Sequence, residues 1–263
     1  MSRRRRLGQH FLVDGRVARA ICDALPDTPP RVMEIGPGKG ALTRELLRRF
    51  PRVVAIEVDP TLAAALPARL QEPAGLEVVR GDALEVDVAA FVTEGPWLAA
   101  GNLPYSVATP ILRRCLGLGQ LLATGVFMVQ EEVARRLVAR PGERARGLLT
   151  LEVEAAAAAE LLFTVPPRCF SPPPRVVSAV VRLWPRTPPQ PAELVRRALE
   201  LASVAFQHRR KKLGNALAAL LPRQLASGAT AAAGVGADAR AEDLTLAEWC
   251  ALAAALPAGA EGA

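Results

Sequence analysis

Arg31-Val32-Met33-Glu34-Ile35 running into Gly36-Pro37-Gly38-Lys39-Gly40 is the stretch on which the reading of the fold turns. A strand-like apolar run ends in a glycine-rich turn, and Ala41 to Arg49 then repeats apolar residues at helical spacing. Glycine at a strand-to-helix turn lets the backbone approach a ligand that a side chain would hold off. The signal is shared between two chemistries. Gly36-Pro37-Gly38-Lys39-Gly40-Ala41 also fits the Gly-x-Gly-x-x-Ala form of a dinucleotide site, which keeps a dehydrogenase open. Glu57, at the end of the next strand and 21 positions after Gly36, can accept both hydroxyls of a ribose with either cofactor.

Outward from this turn, short apolar runs alternate with helical stretches. Strands are expected at Arg31 to Ile35, Val53 to Val58, Leu76 to Val79, Trp97 to Ala100, Val126 to Val129, within Leu149 to Phe163, and at Ser178 to Leu183. Helices at Ala41 to Arg49 and Leu62 to Leu70 make the pattern βαβα, hence an α/β fold with a seven-stranded, mostly parallel sheet. The last two strands are joined by a Pro-rich loop, as a hairpin at the edge of such a sheet would be. Trp184-Pro185-Arg186-Thr187-Pro188-Pro189-Gln190-Pro191 reads as a stiff linker. The expected organisation is a first domain over 1–184 with a basic arm at 1–12, a linker over 185–191, and a small all-α domain over 192–263. In the latter, Glu193 to Phe206, Lys212 to Leu221 and Leu246 to Leu256 read as helices, the last opened by a Thr245/Glu248 capping box. Ala226 to Gly236 reads as a loose connection, though its alanines could extend a helix.

The 263 residues are 51% hydrophobic, enough for a sizeable core, and carry a formal charge of +7. The excess is uneven. Pro185 to Leu225 holds eight basic residues against Glu193 and Glu200, whereas 226–263 holds five acids against Arg240. A basic band points to a polyanion partner. Arg209, Arg210, Lys211 and Lys212 are candidate phosphate contacts, as are Arg3, Arg4, Arg5 and Arg6, although such clusters are more often solvated faces. Cys22, Cys115, Cys169 and Cys250 are far apart, so no zinc site or disulfide framework is indicated. The chain shows no membrane-spanning run and no signal-peptide core, and a cytoplasmic, monomeric protein without metal is the expectation.

Two further strand ends narrow the chemistry. The third strand ends in Gly81-Asp82-Ala83, which puts a carboxylate where an adenine amine would lie, although an Asp there is also a common turn residue. The fourth ends in Asn102-Leu103-Pro104-Tyr105. An adenine N6 lone pair is delocalised into the ring, so the amine is a poor nucleophile until two acceptors hold its hydrogens. The Asn102 amide oxygen and the Leu103 carbonyl can be those acceptors, Pro104 stiffens the turn, and Tyr105 offers a ring on which an extruded base stacks. A hydride-transfer enzyme would need a proton donor or a substrate-binding cation in that place, and none is there.

Taken together, these residues resemble the small-subunit ribosomal RNA adenine dimethyltransferases of the KsgA/RsmA type, over nearly the whole chain. Leu7-Gly8-Gln9-His10-Phe11-Leu12 is similar to that family's Gly-Gln-x-Phe-Leu entry segment, and Cys169-Phe170-Ser171-Pro172-Pro173-Pro174-Arg175-Val176 to its Phe-x-Pro-x-Pro-x-Val loop. The Phe206 to Leu217 segment resembles the basic helix-turn of its helical domain. The resemblance implies a Rossmann-like class I fold and S-adenosylmethionine as cofactor, held by Gln9, His10, Leu12, Glu34, Gly36, Gly38, Glu57, Val58, Asp82, Ala83 and Asn102. Phe170 would close the base pocket opposite Tyr105. The implied reaction is N6,N6-dimethylation of two adjacent adenosines in the 3′-terminal hairpin loop of 16S rRNA within immature small subunits. Related antibiotic-resistance enzymes, which modify large-subunit RNA, usually have Ile where Leu103 stands; that target and a non-catalytic RNA-binding assembly factor are the alternatives. One departure is Val177, where the family commonly has Asp.

Overall fold

The computed structural model describes residues 10–91, 95–188 and 190–257. In chain order its strands and helices are β1 (Phe11–Leu12), α1 (Gly15–Asp23), β2 (Arg31–Ile35), α2 (Ala41–Arg49), β3 (Arg52–Glu57), α3 (Pro60–Arg69), β4 (Leu76–Arg80), β5 (Trp97–Asn102), α4 (Ala108–Gly117) and β6 (Leu122–Gln130). They continue as α5 (Glu131–Leu137), α6 (Leu148–Ala156), β7 (Ala157–Val165), β8 (Phe170–Ser171), β9 (Ser178–Pro185), α7 (Ala192–Gln207), α8 (Leu213–Leu217), α9 (Arg223–Ala232) and α10 (Leu246–Ala254). The described residues fall into two compact units, 10–134 with 158–186, and 135–157 with 187–257.

In the first unit a seven-stranded sheet runs in the order β4-β3-β2-β5-β6-β9-β7. The pairs β3/β4, β2/β3, β2/β5 and β5/β6 are parallel, and β9 lies antiparallel to β6. The last two strands, β9 and β7, are neighbours at that edge of the sheet, as expected. Strands covered on both faces read as continuous apolar runs, and Val53, Val54, Ala55 and Ile56 of β3 are all buried. Chain order reverses between β2, which leads outward to β3 and β4, and β5, which leads the other way to β6. Ligands of open α/β sheets bind at such a reversal, beyond the carboxyl ends of the strands.

Close approach at this reversal explains Gly101. A Cβ there would stand 2.6 Å from the Ile35 carbonyl oxygen, so any side chain would push β5 off β2. A second, two-stranded sheet pairs β1 with β8 antiparallel, Leu12 opposite Phe170. It ties the entry segment to the Pro-rich loop between β7 and β9.

The second unit is helical and differs from the linear division of the chain. Segment 135–157, which the sequence assigns to the first domain, clusters with the C-terminal helices. Leu151 and Ala155 of α6 join the same buried cluster as Leu201, Leu217, Trp249 and Leu252. Within this unit Arg146, fully buried, donates to both Glu154 carboxylate oxygens at 2.6 and 2.8 Å and to the Leu244 and Ala139 carbonyls at 3.0 Å each. The strand expected within Leu149 to Phe163 occupies only the second half of that run, because its first half coils into α6. Short apolar runs do not distinguish the two states by periodicity. Nor is Ala226 to Gly236 a loose connection: most of it is α9, whose Ala226 and Ala229 are buried. Alanine's helix propensity and that burial together outweigh the segment's low complexity. The Thr245 cap is made as expected, with Thr245 Oγ1 accepting from Glu248 N at 3.2 Å and Glu248 Oε2 accepting from Thr245 N at 2.7 Å.

Candidate functional site

A cavity of about 300 Å³ opens at the carboxyl ends of β2, β3 and β5. Ten of the eleven residues assigned to the cofactor line it: His10, Leu12, Glu34, Gly36, Gly38, Glu57, Val58, Asp82, Ala83 and Asn102. Gln9 lies outside the described residues, as do Arg3, Arg4, Arg5 and Arg6. Leu103, Pro104 and Tyr105 complete the wall on the β5 side. The local backbone explains the close approach at the turn. Gly38 has φ +57°, a left-handed conformation that glycine tolerates, and a Cβ there would meet the Phe11 ring at 3.1 Å.

Three carboxyl groups give the cavity its character. Glu57 is buried, and its two oxygens accept Gly38 N–H at 3.0 Å and Asp59 N–H at 2.9 Å, so it holds the glycine turn as well as facing the cavity. Burial pushes its carboxyl above the ordinary value. Asp82 Oδ1 accepts Leu84 N–H at 2.9 Å, closing a local turn. Arg114 on α4 braces that turn by donating to the carbonyls of Leu84, at 2.6 Å, and Val86. Glu34, 1% exposed, has an Oε2 with no hydrogen-bond partner. Burial, with Glu57 pushing the same way, raises its carboxyl to about 8. The carboxyls of Glu57 and Asp82 suit a ligand with ribose and amino groups, and oppose the pyrophosphate of a dinucleotide.

The raised value has a measurable sign. A carboxyl whose folded pKa lies above its unfolded one adds stability below pH 4.5 that is lost as pH rises through about 8. A pKa difference of one between the folded and unfolded states corresponds to about 1.4 kcal/mol. Glu34→Gln is expected to flatten this dependence: without added ligand, wild-type protein should lose stability relative to the variant between about pH 5 and pH 9, by a few kcal/mol. Parallel unfolding midpoints for the two proteins across that range would rule the assignment out.

At the end of β5, Asn102 Nδ2 donates to the His10 carbonyl at 3.1 Å. A carbonyl can only accept, so the amide's orientation is set and Oδ1 is left as its acceptor. Leu103, buried, is anchored through its own N–H to the Met128 carbonyl at 3.0 Å. The half-buried Tyr105 shares a 2.7 Å hydrogen bond with Ser178 Oγ, and its ring lies 5.7 Å from that of His10. His10 Nδ1 is 2.8 Å from the Pro172 carbonyl, which makes Nδ1 the protonated nitrogen.

Phe170 departs from its expected place opposite Tyr105. It does not line the cavity, and at 3% exposure it is buried in a core cluster with Leu12 and Cys169. Its strand pairing with Leu12 accounts for this, and the ring beside Tyr105 is His10. Val177, the departure from the family pattern, contributes its carbonyl to Glu131 N–H at 3.0 Å, a bond that any residue there would make.

The basic cluster divides. Arg209 donates to the carbonyls of Arg144 and Arg146 at 2.8 Å each and lies 5.8 Å over the Phe206 ring, so its guanidinium braces the helical unit. Lys212 pairs with Asp238. Arg210 and Lys211 are exposed. Sequence reasoning missed Phe11, Lys39, Val107 and Ile111, which also line the cavity. For Val107 and Ile111 the signal was present as an apolar pair four residues apart just after the tetrad. Among the described residues no group of His, Cys, Asp or Glu could hold a metal ion, and no helix is long and apolar enough to cross a membrane.

Comparisons with known proteins place the chain among relatives. The family model described as ribosomal RNA adenine dimethylase matches residues 1–257. A protein named ribosomal RNA small subunit methyltransferase A from Synechococcus sp. (strain JA-3-3Ab) is 42% identical, over 95% of this chain and 91% of its own length. One of the same name from Bordetella pertussis is 43% identical, over 98% and 96%. Among solved structures, the 23S rRNA methyltransferase ErmE superposes with a TM-score of 0.73 at 30% identity, covering 94% of this chain and 99% of its own. A dimethyladenosine transferase from Plasmodium falciparum gives the same TM-score at 22% identity, covering 92% and 96%, and supports the fold.

Proposed function

The chain belongs to the ribosomal RNA adenine dimethylase family, and from that premise we propose that it dimethylates N6 of two adjacent adenosines in the 3′-terminal hairpin loop of 16S rRNA, using S-adenosylmethionine. The observation that supports this most directly is the Asn102 amide, anchored through Nδ2 to the His10 carbonyl at the edge of the cavity, which leaves the oxygen as the amide's acceptor. Similarity above 40% to proteins named for the small subunit, with Leu103 in the tetrad, favours that target over the large subunit.

In this reading Glu57 accepts the donor's ribose hydroxyls, Asp82 its adenine amine, and the backbone of Gly36 and Gly38 lies against it. Glu34 stands in the wall behind the glycine turn. When bound, S-adenosylmethionine supplies a methyl group on an electrophilic sulfonium. The protein's task is then positioning. Asn102 Oδ1 and the Leu103 carbonyl hold the amine's hydrogens, Pro104 limits the carbonyl's freedom, and Tyr105 stacks on the flipped base for about 1–3 kcal/mol. Correct orientation of the amine supplies several kcal/mol of the barrier reduction. No strong base is needed, because the alkylated amine is acidic enough to release its proton to water.

Arg210, Lys211 and the basic arm, Arg3 to Arg6, supply phosphate contacts, and the enzyme works as a cytoplasmic monomer on immature small subunits. The test is incubation with labelled S-adenosylmethionine and small subunits lacking the modification, followed by mapping of dimethyladenosine. Label in the two adjacent adenosines is expected. Label in large-subunit RNA, or in neither, would sink the proposal.

A further inference from the structure

We infer that Ser178 is a positioning residue for methyl transfer, acting through Tyr105. The inference rests on the reading of Tyr105 as the stacking platform for the target base.

A platform is useful only if its tilt is set before the base arrives. A tyrosine next to an open cavity has two soft torsions, and an unpinned ring would sample rotamers that carry the base away from the acceptors. Here the ring is held at two places. Its hydroxyl shares a 2.7 Å hydrogen bond with Ser178 Oγ, and one side lies against His10 at a 5.7 Å centroid separation. Both anchors are themselves fixed. Ser178 is fully buried, and its backbone lies opposite Gln130 where β9 pairs with β6, the strand beside β5. His10 is tied by Nδ1 to the Pro172 carbonyl and by its own carbonyl to Asn102. The platform and the amine acceptor are thus set relative to each other by rigid backbone. Because the hydroxyl is already engaged at its far end, the ring's face is the part left to meet a base.

Removing the Ser178 hydroxyl frees the ring's tip without touching the groups assigned to the donor. Ser178→Ala is expected to lower kcat for subunit methylation about tenfold, the weight of one hydrogen bond, with the Kd for S-adenosylmethionine within about twofold. Subunit KM should hold, because phosphate contacts dominate that affinity. Tyr105→Phe, which removes the same bond from the other side and leaves Ser178 intact, should match it. The double variant should fall no further than either single one.

Two results would overturn the pin: full activity of Ser178→Ala alongside an inactive Tyr105→Ala, or additive losses in the double variant. Full activity of Tyr105→Ala would instead overturn the platform reading beneath it. If Ser178→Ala does not fold, Tyr105→Phe carries the same test, with retained full activity as the refuting result.

Discussion

Asn102→Ala is expected to reduce methyl transfer by about 100- to 1,000-fold, the loss typical when one preorganised electrostatic partner is removed from a reacting centre. Binding of the small subunit should persist, since phosphate contacts supply most of that affinity. The residue does two things at once: Nδ2 is spent on the His10 carbonyl at 3.1 Å, and that bond aims Oδ1. Asn102→Asp separates the two. It keeps the acceptors but has no N–H for His10, so it should also lose most activity. Single-turnover rates on unmodified subunits measure both variants. A fully active Ala variant would refute the pocket, whereas a fully active Asp variant would refute the orientation argument alone.

Arg146→Ala is expected to cost about 3–5 kcal/mol of stability, the usual penalty for breaking a buried ion pair by removing one partner. The loss would leave Glu154, partly buried, without its bidentate partner, and would remove the donor to the carbonyls of Leu244 and Ala139. Replacing both charged residues with apolar ones of similar size, Arg146→Met with Glu154→Met, should recover much of the stability, because no charge is then stranded. Urea unfolding of the full chain measures this. A loss under about 1 kcal/mol for Arg146→Ala would show that the network adds little.

Much of the site was legible because its chemistry is local. The strand-turn-helix at Glu34 to Arg49, the carboxylate at Glu57, the Asp82 turn and the Asn102 to Tyr105 tetrad are each a short motif at a strand end, and all contribute to one cavity. Phe170 was misplaced because its position depends on pairing with Leu12, far away in the chain, which no local pattern encodes. Arg209 resembles its basic neighbours in sequence, and only its carbonyl partners at 144 and 146 set it apart.

By itself, the sequence determined the alternation of strand and helix, the glycine turn, the capping of the last helix and the strand-end motifs that line the cavity. These follow from side-chain periodicity and backbone preference over a few residues. Tertiary structure alone decided the strand order β4-β3-β2-β5-β6-β9-β7, the joining of segment 135–157 to the helical unit, and the contacts of His10 with Asn102 and of Tyr105 with Ser178. Such choices are made by which distant apolar faces bury one another and which buried polar groups find partners, so they exist only once the chain has closed on itself.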